Sequence, residues 1–120
     1  MTLIDDEHLA ALRQALKPDA LRDLLNVACL SIDESFAALE TCYQQADVPA
    51  LAQAAHRLAG VAANFAAIAL AEAAREIERS HAPRVGAAAI DQLRSLAKSS
   101  IQALKLAAQE DPVKAQHPGQ

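Results

Sequence analysis

From Leu21 to Tyr43 the apolar residues Leu21, Leu25, Ala28, Ile32, Phe36, Leu39 and Tyr43 follow one another in steps of three and four. An α-helix, at about 3.6 residues per turn, gathers that spacing onto one face; a strand, with a period of two, would scatter it over both. The spacing recurs in four other stretches. These are Leu9, Leu12, Leu16; then Leu51, Ala54, Ala55, Leu58, Val61, Ala62, Phe65; then Leu70, Ala73 or Ala74, Ile77; and last Ile90, Leu93, Ala97, Ile101, Leu104, Ala108. There is no strand pattern and no internal repeat.

Five such stripes must be buried against one another, and the alanine content constrains how. Thirty of the 120 residues are Ala, Trp is absent, and Phe and Tyr together number three. Alanine is the best helix former, while the aromatic and β-branched residues that favour strands are sparse, so the class is all-α. Small side chains let helices approach closely but bury little area each, so helix length has to compensate. The chain suffices for one domain with a real core and is too short for two of ordinary size.

The breaks fall between the stripes. Asp5 or Asp6 can N-cap a short first helix, which Lys17-Pro18 ends because proline disfavours helical geometry at the residue before it. Asp19 starts a second helix to about Gln45. Asp47 suits an N-cap and Pro49 the first turn of a third helix, which runs to about Asn64. A fourth spans about Ala67 to Ser80 and is closed by His81-Ala82-Pro83. A fifth begins near Arg84 to Gly86. Residues 111–120, DPVKAQHPGQ, have two prolines, a glycine and no periodicity, and read as a disordered tail. The expectation is an antiparallel up-down four-helix bundle over residues 1–110, with the short extra N-terminal helix capping one end or side.

Several functions are disfavoured. The net charge of −4, with both signs intermixed, leaves no footprint for nucleic acid or an anionic membrane. No apolar run has the length of a transmembrane helix, and MTLIDDEH lacks the features of a signal peptide. Cys29 and Cys42 fall on one helix roughly 20 Å apart, too far for a disulfide, and free thiols fit a reducing cytoplasm. His8, His56, His81 and His117 lie on separate elements and the tail, without the spacing of metal ligands to another His, Cys or carboxylate. With three glycines there is no phosphate-binding loop. Glu72, Arg75, Glu76, Glu78 and Arg79 read as a solvated charged face.

His56 is the remaining chemical handle. On the wheel it lies about 160° from Leu58, opposite the apolar stripe of its helix, with Ala52, Gln53, Gly60 and Ala63 for neighbours and Ala59 close by. A solvent-facing stripe normally fills with Glu, Lys, Gln and Arg. A mid-helix glycine costs about 1 kcal/mol against alanine, so Gly60 needs a reason, and close approach of a partner supplies one. An imidazole titrates near pH 6.5 and is a competent phosphoryl acceptor in its neutral form. No acid or base stands beside His56 in sequence.

Ala55-His56-Arg57-Leu58-Ala59-Gly60-Val61-Ala62-Ala63-Asn64-Phe65 resembles the phosphorylation-site helix of histidine-containing phosphotransfer (HPt) domains, whose pattern is approximately A-H-x-L-K-G-[SA]-[SA]-x-x-[LF]-G-A. The resemblance includes the lead-in from Pro18 and the following ALAEAAREIE, and so covers most of residues 18–80. It implies a four-helix bundle whose exposed histidine, His56, accepts a phosphoryl group at Nε2 from a receiver-domain aspartate and passes it to another receiver. Gly60 matches the glycine that leaves room for the receiver. Ala52, Gln53, Arg57, Ala59, Gly60, Ala63 and Asn64 are the expected docking residues. No cofactor or metal is expected on this chain, since the receiver brings Mg²⁺ and the catalytic groups; the chain itself is a phosphocarrier, not an enzyme. Its expected setting is cytoplasmic and monomeric, as a free protein or as a module of a membrane-bound hybrid sensor kinase whose own receiver could be a partner.

Two positions depart from the family pattern. The lysine three residues after the histidine is Ala59, and the later glycine is Ala66, where Asn64 could take the left-handed position instead. Arg57, about 100° from His56 on the wheel, would have to reach round to replace the missing cation even in part. An alternative function follows from that loss: a degenerate HPt-like module that docks a receiver, kinase or other enzyme without carrying phosphate.

Overall fold

A computed structural model describes residues 2–80 and 85–109. They form five helices: α1 (Asp6–Ala15), α2 (Pro18–Gln44), α3 (Val48–Asn64), α4 (Ile68–Arg79) and α5 (Ala87–Gln109). The starts follow local chemistry. The Asp5 carboxylate accepts from the backbone N–H groups of Glu7 and His8, satisfying two free donors of α1. Pro18 opens α2, where its missing N–H costs nothing. Asp47 accepts from the Ala50 N–H, with Pro49 in the first turn of α3.

The helix ends are less conventional. At the end of α2 the N–H of Ala46 donates to the carbonyl of Tyr43, and that of Asp47 to Cys42. At the end of α3 the N–H of Ala66 donates to Ala63, and that of Ala67 to Ala62. Both are C-terminal turns closed through a left-handed residue, and in both that residue is alanine: Ala46 at φ 55° and Ala66 at φ 66°. Asn64, expected to take the left-handed position, is instead the last helical residue of α3. The hydrogen-bond geometry of the turn, two residues past the helix, puts the unusual φ at position 66.

Helices α2 to α5 run up, down, up, down. The Cys29 thiol donates to the Ile101 carbonyl at 3.5 Å, and Arg94 of α5 bridges to Glu40 of α2 while its guanidinium sits 5.8 Å from the Phe36 ring centre. These pairs establish α2 and α5 as antiparallel. Helix α3 packs extensively against both α2 and α4, whereas α5 leans more on α2 than on α4. Since α2 and α5 outrun the shorter α3 and α4, the described bundle is elongated, 56 × 24 × 18 Å. The N-terminal segment caps the α3–α4 end: the Asp5 N–H donates to the Ala66 carbonyl and the Ala69 N–H to that of Leu3.

Leu25, Ile32, Leu39, Leu58, Leu70, Leu93 and Leu104 are the largest fully buried apolar side chains of the core, which also takes in Phe36 and Ile90. In α5 the inward stripe is Ile90, Leu93, Ala97, Ser100, Leu104, Ala107, with Ile101 and Ala108 only half-buried. That corrects the expectation at two positions. Regular three-four steps hold a seam against one long neighbour, here α2, so the stripe does not drift to 101 and 108. The closure of α4 by His81 to Pro83 and the tail at 111–120 lie outside the described residues.

Candidate functional site

The apolar face of α3, Leu51, Ala54, Ala55, Leu58 and Ala62, is buried. This turns His56 outward, with 78% of its side chain exposed. Gln53, Arg57, Gly60 and Asn64 share the exposed side, while Ala52 and Ala63 are half-buried. Ala59 differs from expectation: it is buried, at 3% exposure. The wheel places it outside the main stripe, but α3 is flanked by two helices, which widens its buried arc into the α3–α4 seam. Ala59 is therefore a packing residue and offers a partner no surface.

A Cβ built on Gly60 would meet nothing within 4 Å. Packing among the described residues does not demand glycine there.

The residue that sequence reasoning missed is Glu78. It projects from α4 to the edge of the same seam, 35% exposed, and its Oε1 lies 2.8 Å from His56 Nδ1. Sequence spacing groups it with a solvated charged run; in space it leaves that run and joins the histidine. The signal was the short α3–α4 connection: an antiparallel hairpin pairs positions roughly equidistant from its turn, which sets the region of 78 opposite 56. A carboxylate only accepts, so Nδ1 donates its proton and the ring adopts the tautomer whose Nε2 lone pair is free. Ala52, Gln53, His56, Arg57 and Glu78 line an open cleft at this place.

The other candidates stand apart. His8 is half-buried on α1, and His81 and His117 lie outside the described residues. Burial pushes the Cys29 thiol up from its ordinary value, and Cys42 is half-buried on the same helix. Among the described residues no three His, Cys, Asp or Glu side chains group as metal ligands would, and no helix is long and apolar enough to cross a membrane.

The described residues thus form a helical bundle that presents an oriented, exposed imidazole at mid-helix beside Gly60. The sequence model of the Hpt domain matches residues 6–110, and the chain belongs to that family, whose members serve two-component signalling. The crystal structure of histidine-containing phosphotransfer protein B from Pseudomonas aeruginosa PAO1 is similar, with TM-score 0.81 and 27% identity, covering 89% of this chain and 95% of that one. No curated protein sequence matches.

Proposed function

We propose that His56 is the phosphoacceptor of a phosphorelay, taking a phosphoryl group at Nε2 from a receiver-domain aspartate and passing it to another receiver. The observation that carries this reading is the Nδ1–Glu78 hydrogen bond, which leaves Nε2 as the nucleophile. In the forward step the Nε2 lone pair attacks phosphorus, the P–O bond to the aspartyl carboxylate breaks, and the carboxylate leaves with the electron pair. The proton stays on Nδ1, so the product is a phosphoimidazolium whose positive charge faces Glu78. In the onward step a second carboxylate attacks phosphorus, the N–P bond breaks, and its electrons return to Nε2. No proton has to move in either direction.

In this reading the receiver would supply both the Mg²⁺ and the catalytic groups. The cytoplasm, where receivers work, is the proposed setting, with the chain acting as a monomer. Gln53, Arg57, Gly60 and Asn64 form the proposed docking face. Incubation with a receiver charged from acetyl phosphate should place an acid-labile phosphate on His56. Absence of transfer from several receivers, or transfer that survives His56→Gln, overturns the reading. The absence of lysine at position 59 favours a second reading, a docking module that carries no phosphate; receiver binding unchanged in His56→Ala, without phosphohistidine, would establish it.

A further inference from the structure

We propose that Arg57 and Gln53 form the phosphoryl-holding subsite of His56, binding the oxygens of a phosphoryl group on Nε2 from the side of the imidazole opposite Glu78. The inference rests on His56 being the phosphoacceptor. A phosphoryl group brings about two negative charges, which need a cation or strong donors nearby. The α4 side of the ring cannot provide them. Ala59 is apolar and buried there, and the Glu78 carboxylate repels a second anion. The phosphoryl group is therefore driven to the other flank.

On the helical wheel Gln53 and Arg57 lie about 60° and 100° from His56, on the side away from Ala59. Side chains on a helix lean toward its N-terminus, so the His56 ring lies over the turn of Ala52 and Gln53. Arg57 and Gln53 line the open cleft around His56, with Glu78 at its α4 edge, and Arg57 is the one cation among its five lining residues. Arg22, Arg79 and Arg94 are each engaged by a carboxylate, whereas Arg57 has no ion pair among the described residues. A guanidinium can place two parallel N–H groups on phosphoryl oxygens, and the Gln53 carboxamide adds a further donor one turn away. Arg57 thus does from the solvent side what no residue does at position 59.

The test uses the full chain and a small donor, so that receiver docking plays no part. With phosphoramidate, His56 Nε2 attacks phosphorus, the P–N bond breaks, and ammonia leaves. The second ionisation of the phosphoryl group is then followed by ³¹P NMR against pH, and the half-life of the phosphoprotein is measured beside it. A guanidinium about 5 Å away should hold that ionisation about half a unit lower in wild type than in Arg57→Ala. Arg57→Lys should fall between them, Gln53→Ala should shift less, and Arg57→Ala should shorten the half-life severalfold. Coincident titrations and half-lives overturn the subsite alone, as does an Arg57 effect confined to transfer from a receiver. A wild-type chain that takes no phosphate on His56 overturns the subsite and the proposed function together.

Discussion

Glu78 accepts a hydrogen bond from Nδ1 of His56 at 2.8 Å, joining residues 22 apart in the chain across the seam between α3 and α4. The pair gives an exposed imidazole a defined tautomer. In the proposed transfer it would also place a compensating charge beside the ring as the ring turns positive.

Removing that charge should be visible in the ring and in the chemistry. Glu78→Ala is expected to move the His56 tautomer balance toward Nε2–H in ¹⁵N NMR and to slow transfer from a receiver about tenfold, the equivalent of one hydrogen bond to a charged group. Glu78→Gln keeps an acceptor but loses the charge, and should fall between.

Gly60 should separate folding from docking. A methyl group at this position has open space around it, so Gly60→Ala is expected to raise stability by about 1 kcal/mol in urea unfolding. Gly60→Glu should keep the helical circular dichroism spectrum yet weaken receiver binding in a titration. An unfolded Gly60→Glu protein would contradict the outward placement of this residue.

Two alanines hold left-handed backbone that glycine would adopt without strain. Ala46 is exposed, and Ala46→Gly should stabilise by about 0.5–1 kcal/mol, the left-handed penalty less the greater freedom of unfolded glycine. Ala66 is buried, so Ala66→Gly also loses a packed methyl and should gain less. Thermal unfolding of the two variants side by side checks the order.

Ser100 is fully buried in α5, and its hydroxyl has no hydrogen-bond partner among the described residues. Ser100→Ala keeps the volume nearly constant and removes an unsatisfied polar group. Stability should rise by about 1 kcal/mol in chemical denaturation.

Cys29 adds an alkaline limit. Burial raises its thiol above the ordinary value of 9.0, so the folded state holds this proton more tightly than the unfolded chain does. Its contribution to stability is complete below that value and is lost as pH rises through the folded-state pKa. The alkaline decline in unfolding free energy should be shallower in Cys29→Ala than in wild type. A thiol reagent at neutral pH should label half-buried Cys42 before Cys29.

Periodicity, alanine content and capping residues were enough to determine five helices, their order, most of the core, and the outward direction of His56. Those properties are local: a wheel angle depends on the helix alone, and an Asp or Pro at a helix start acts on its own turn. The burial of Ala59, the left-handed backbone at Ala66, the choice of Ser100 over Ile101, and the meeting of Glu78 with His56 were decided only by the tertiary structure. Each depends on where a second helix or turn lies. Two flanking helices bury a wider arc of α3 than one stripe suggests, and hydrogen bonds closing a turn choose which residue bears its strain. The antiparallel register of α3 and α4 brings together a histidine and a carboxylate whose distance along the chain conceals that they form one site.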